Sequence, residues 1–140
     1  MVRPVFAGCT NLASVTIPDS VTGIGSCAFG GCTRLVSVTI PDSVASVGDR
    51  GFCMCTRLTS VTIGNGVTNI GDYAFAYCTN LTAVYFKGNA PNLDAPPFYG
   101  DNDVTVYHLK RTKGWGTTFG GRPTAVWNPQ TNAVAGVKAK

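Results

Sequence analysis

Six cysteines are the residues with the most chemistry to offer in this 140-residue chain. Four of them, Cys9, Cys32, Cys55 and Cys78, recur at one constant interval. Cys53 and Cys55 form a single C-x-C pair, and Cys27 stands apart. A zinc centre needs four converging N or S donors, and no second thiol pair or histidine set accompanies Cys53-Met54-Cys55. Residues repeated at one register have parallel Cβ vectors, which is poor disulfide geometry. Cys27 and Cys53, in adjacent repeats, are the one pair worth testing for a bond. The four periodic cysteines are therefore expected to be small buried apolar groups. His108 is the only histidine, with no flanking carboxylate to orient it as a base. All seven acids are aspartates. Asp19 and Asp42 follow a proline, and Asp49 and Asp72 follow a glycine, which are turn positions. No phosphate loop, dinucleotide fingerprint or metal-binding helix is present. The sequence thus points to no enzyme, no cofactor and no metal.

The cysteine spacing leads to the elements that carry it. Shifting the chain by the same interval aligns Phe6, Phe29, Phe52 and Phe75, then Leu12, Leu35, Leu58 and Leu81, then Val15, Val38, Val61 and Val84. Ile17, Ile40, Ile63 and Phe86 align next, followed by Val21, Val44 and Val67, and Ile24, Val47 and Ile70. Gly25, Gly48 and Gly71 close each unit. Within a unit, Ser37-Val38-Thr39-Ile40 alternates as a half-buried strand does. Pro41-Asp42-Ser43 turns the chain, with the aspartate expected to cap its own backbone. Val44 to Val47 is a second extended piece, and Gly48 is expected to supply a backbone conformation closed to other residues. Gly51 to Cys55 is expected to form one helical or 3₁₀ turn. One unit cannot bury its own apolar side, but stacked units can. Stacking at about 4.8 Å turns the Leu, Val, Ile, Phe and Cys positions into continuous ladders. Ser14, Ser37 and Ser60, with Thr16, Thr39 and Thr62, become two outward rows that change to Ala83 and Tyr85 in the fourth unit.

The unit Ala-Phe-x-x-Cys-x-x-Leu-x-x-Val-x-Ile-Pro-x-Ser-Val-x-x-Ile-Gly, seen over residues 2–93, resembles the BspA-type leucine-rich repeat of bacterial surface proteins. The third copy departs from it at Gly64-Asn65-Gly66 and at Gly51-Phe52, and the fourth fades after Phe86. The resemblance implies a β-rich, right-handed leucine-rich-repeat solenoid with 23-residue coils. It implies four repeats over residues 1–93 and a C-terminal capping segment over 94–127, while 128–140, with no apolar period, is expected to be a flexible tail. It also implies a cell-surface or secreted protein that contacts other proteins or glycans.

The binding residues expected on the strand face are Ser37, Thr39, Ser60, Thr62 and Tyr85, with Arg34 and Arg57 at its edge. The alternatives are a spacer within a larger surface protein, and recognition of ice or a polysaccharide lattice by the Ser/Thr rows. Trp115, Phe119 and Trp127 form a third candidate, an aromatic platform, although large aromatics at a repeat terminus usually serve as core. The net charge of +4 owes much to Lys110, Arg111, Lys113, Arg122, Lys138 and Lys140. These are too scattered for a nucleic-acid stripe, so no nucleic-acid partner is expected. No run of 18 apolar residues is present, so no membrane insertion through a helix is expected. The sequence starts inside a coil, which reads as a fragment of a longer protein. A monomer is expected, with the uncapped N-terminal edge open to self-association.

Overall fold

The computed structural model describes residues 7–129 and 133–134. Each coil has three sides. The first is a parallel ladder of short strands, β1 (Gly23–Ile24), β3 (Ser46–Val47), β5 (Asn69–Ile70) and β7 (Asn92–Leu93). The second is a longer sheet built from β2 (Ser37–Ile40), β4 (Ser60–Ile63), β6 (Ala83–Phe86), β8 (Thr105–Leu109) and β10 (Arg122–Asn128), each parallel to the next. Two short antiparallel strands, β9 (Thr118–Phe119) and β11 (Ala133–Val134), pair with β10.

Among the described residues the third side contains no helix, because backbone donors along it are used between coils. Phe29 N–H donates to Gly51 O at 2.7 Å, Phe52 N–H to Ala74 O at 2.7 Å, and Phe75 N–H to Pro97 O at 2.8 Å. A second set runs from Gly31 N–H to Cys53 O, Met54 N–H to Ala76 O, and Tyr77 N–H to Tyr99 O, each at 2.8 Å. A donor committed to the next coil cannot close a bond within a helix of its own coil. Arg50 and Met54, at φ 56° and 61°, also break any run of helical dihedrals. The single turn expected over Gly51–Cys55 is therefore a pair of tight turns.

The core is a set of ladders. Phe29 stacks on Phe52 with centroids 5.0 Å apart, Phe52 on Phe75 at 5.3 Å, and Phe75 on Phe98 at 6.0 Å. Leu35, Leu58 and Leu81 are buried, as are Val38, Val61 and Val84. Each such side chain contributes about 1.5–3 kcal/mol on burial. The ladder cysteines do more than fill space. Cys55 Sγ donates to Phe29 O at 3.2 Å, and Cys78 Sγ donates to Phe52 O at 3.1 Å. Cys27 and Cys53, the pair worth testing, are not joined by a disulfide.

Two kinds of turn residue, glycine and aspartate, act differently from expectation. Gly48 does not have a positive φ; a Cβ there would lie 2.7 Å from the backbone of Gly25 and Ser26. The glycine is needed for close approach of successive coils. Asp42 Oδ1 accepts from Asn65 N–H, and Asp49 Oδ1 from Asp72 N–H, both at 2.8 Å. These aspartates bind the next coil rather than their own backbone.

The stack continues where the sequence period fades. Ala90, Leu93, Phe98, Asp101 and Val104 stand one repeat length after Val67, Ile70, Phe75, Cys78 and Leu81. Leu93 pairs with Ile70, Phe98 stacks on Phe75, and Val104 is buried. One residue is then skipped, so Val84 pairs with Val106 and Tyr85 with Tyr107. Segment 94–127 thus adds strands to the long sheet. Within it, Trp115 and Phe119 pack on Phe86 at 4.9 and 5.3 Å. At the other end, Ser14 to Ile17 is outside the paired strands. Of the tail expected at 128–140, Ala133–Val134 pairs antiparallel with β10. Residues 130–132 and 135–140 lie outside the described residues.

Candidate functional site

The outward side of the long sheet is set by strand alternation. Val38, Ile40, Val61 and Ile63 face the core, so Ser37, Thr39, Ser60 and Thr62 face out. Parallel pairing puts Ser37 beside Ser60, and Thr39 beside Thr62. The second row continues through Tyr85 to Tyr107, and the first through Ala83, which is buried, to Thr105. Ser14 and Thr16 are exposed but lack strand pairing. The in-register hydroxyl lattice therefore spans two strands, β2 and β4, among the described residues.

Aromatic groups extend this face toward the C-terminus. Tyr85 and Tyr107 stack with centroids 5.0 Å apart and planes at 17°. Trp127 leans on Tyr85 at 4.9 Å. Burial and the neighbouring Tyr107 push the Tyr85 hydroxyl above its ordinary pKa, so it stays a neutral donor and acceptor. Arg34 and Arg57 are exposed, one coil apart, in the turn before the ladder leucine. Arg34 and Arg57 thus stand outside the strands, while Ser37, Thr39, Ser60, Thr62 and Tyr85 share the outward face. Tyr107 and Trp127 belong with them. Tyr107 escaped sequence reading because the one-residue skip moves it off the repeat register. The trio Trp115, Phe119 and Trp127 does not form one platform, since the first two pack inward on Phe86 and only Trp127 joins the strand face.

The groups with chemistry are dispersed. Burial pushes the Cys32 thiol up to about 11, and contact with Cys55 plus burial raises Cys78. Neither is a nucleophile near neutral pH. His108 stacks flat against Trp115 at 5.0 Å. Among the described residues no three His, Cys or acidic groups cluster as metal ligands do. A groove of about 790 Å³ lies beyond the turn ladder, and its charged lining is Asp94 and Arg122.

The Cys register carries an unexpected member. Asp101 follows Cys78 by one repeat length and is 1% exposed, and neither carboxylate oxygen has a hydrogen-bond partner among the described residues. Burial pushes it up to about 7, against the opposing pull of the Cys78 backbone and the Arg122 charge.

Two parallel sheets and a turn ladder, repeating once per coil around stacked Leu, Val, Phe and Cys positions, define a leucine-rich-repeat solenoid. This architecture offers a long, rigid surface in place of a single cleft. Residues 3–113 match the family described as the BspA type leucine rich repeat region, in six copies, and the chain belongs to that family. It is also similar to a leucine-rich repeat protein from Bacteroides ovatus, whose crystal structure aligns with a TM-score of 0.64 at 33% identity. That alignment covers 78% of this chain and 28% of the other, so this chain spans about 28% of that protein's length. No curated protein sequence matches.

Proposed function

We propose that this chain is a non-enzymatic recognition module of a bacterial cell-surface or secreted protein, contacting proteins or glycans through the outward face of its long sheet. The observation that carries this reading is the continuity of that face. The outward hydroxyls of exposed Thr39 and half-buried Thr62 run in register into the stacked rings of Tyr85 and Tyr107, with Trp127 against Tyr85. Hydroxyls supply directional hydrogen bonds, and aromatic rings supply large contact area at small entropic cost. The sheet is rigid, which lowers the ordering cost of binding. Family membership supports the surface location and the absence of catalysis.

The test is a screen of the purified chain against extracellular-matrix proteins and a glycan array, run beside a Thr39→Lys, Thr62→Lys variant and a Tyr85→Ala, Tyr107→Ala variant. Recognition through this face requires a ligand held by the parent and lost in both variants at unchanged melting temperature. A ligand held equally by all three chains contradicts the strand-face reading. No ligand for any of them favours a spacer role.

A further inference from the structure

We infer that the turn ridge of coils three and four, separate from the strand face, is a second interaction surface, built to dock an acidic, apolar-bearing segment of a partner protein. The starting point is a backbone position that recurs once per coil. Gly8, Gly31, Met54, Tyr77 and Gly100 stand one repeat length apart and all have left-handed φ, at 73°, 73°, 61°, 57° and 83°. Glycine takes this conformation freely, whereas a side chain brings its Cβ against the following carbonyl. Three coils use glycine, and two adjacent coils use large residues instead. The core gives no reason for the exchange, because Met54 is 53% exposed and Tyr77 49% exposed. Cys27, Arg50 and Tyr73 hold the same φ at a second register, so what sets Met54 and Tyr77 apart is that glycine fills their own register in the other three coils.

What the exchange builds is one continuous patch. Tyr99 is 52% exposed, and both Tyr73 and Tyr77 meet it edge-on, at 5.8 and 5.6 Å. Arg50 lies over the Tyr73 ring at 5.3 Å. A hollow of about 400 Å³ opens between these residues and Met54. Gly100 fixes the arrangement, since a Cβ there would sit 2.9 Å from the Tyr77 ring. The patch is therefore pre-organised.

Its composition selects the occupant. Tyr, Met and Arg are the residue types enriched at the centres of protein interfaces. Arg50 covers one face of Tyr73, and Tyr73 and Tyr77 stand at 82° and 85° to Tyr99, so the rings present no common plane for a sugar to stack on. The charged residue of the hollow is Arg50, and no carboxylate lines it. An apolar side chain would fill the hollow, a carboxylate on the same segment would face Arg50, and tyrosine hydroxyls would meet its backbone. This surface goes beyond the strand-face reading and stands without it.

The experiment uses the full chain and a panel of fluorescent eight-residue peptides. Each carries a central Leu, Phe, Met or Pro with acidic, neutral or basic flanks. Binding is read by fluorescence polarisation, beside variants Met54→Gly and Tyr77→Gly, the double variant, and the strand-face variant Tyr85→Ala. The expected result is saturable binding of acid-flanked peptides, weakened about tenfold or more by Tyr77→Gly, as for an interface-centre tyrosine. Basic-flanked peptides should not bind, and Tyr85→Ala should leave the affinity unchanged. Each glycine variant should also raise the melting temperature, by roughly 3 °C for a chain of this size. A fall in melting temperature in both glycine variants would show that the side chains serve packing and overturn the inference. So would binding that survives the double variant, preference for basic flanks, or no binding across the panel.

Discussion

Raising the pH from 4 to 8 is expected to destabilise this fold through one residue, Asp101. In the unfolded chain its carboxyl titrates near its ordinary 3.8, whereas burial in the Cys register pushes it up to about 7 in the fold. Below pH 4 both states hold the proton, and folding carries no penalty from this group. Between pH 4 and pH 7 the unfolded chain releases the proton while the fold retains it, so stability falls steadily. Above pH 8 both are ionised, and a buried carboxylate is left in the stack. A displacement of about 3 units corresponds to ~4 kcal/mol at 1.36 kcal/mol per unit. Asp101→Cys removes the charge and continues the ladder of Cys55 and Cys78. Its thiol is placed to donate to Phe75 O as theirs donate to Phe29 O and Phe52 O. Urea unfolding under reducing conditions, followed by tryptophan fluorescence at pH 4, 6 and 8, measures the effect. At a urea slope near 2 kcal/mol/M, the parent midpoint should drop by about 2 M across that range relative to the variant. Parallel midpoint curves for the two chains would refute the reasoning, because they would mean that Asp101 is ionised equally in the folded and unfolded states.

Three further outcomes are expected. Gly48→Ala should destabilise the fold by about 1–3 kcal/mol or more in the same urea assay, because its Cβ meets rigid backbone of the preceding coil rather than a movable side chain. Leu58→Ala, at a fully buried rung, should cost about 2–5 kcal/mol; an unchanged melting temperature would contradict the ladder. Native thiol labelling at pH 8 should modify exposed Cys27 fast and leave Cys32, Cys55 and Cys78 unmodified until urea is added, as counted by mass spectrometry.

The solenoid was legible because its ladders are built from like residues. Phe, Cys, Leu, Val and Ile recur at fixed registers, and stacking like on like is the arrangement that buries them all. The strand face was legible for the same reason, since alternation in Ser37-Val38-Thr39-Ile40 dictates which side chains point out. The handling of the turns was not. Proline, aspartate and glycine announced corners, but not whether Asp42 would bind its own backbone or that of the next coil, nor that Gly48 serves close approach rather than a special φ. Those depend on a neighbour in the adjoining coil.

Residue identity alone determined the repeat, its length, the core registers and the outward row from Thr39 to Tyr85. The tertiary structure decided where the stack continues. Parallel pairing needs backbone donors and acceptors at the right spacing, and these persist when side chains change from Val67, Ile70 and Leu81 to Ala90, Leu93 and Val104. It also decided that Asp101 takes a cysteine's place in the core and that Tyr107 joins Tyr85 across a one-residue skip. It decided, finally, that Met54 and Tyr77 adopt glycine's backbone conformation at the surface. A linear pattern records which residues are alike. What an unlike residue does at an equivalent position is set by the backbone on either side of it.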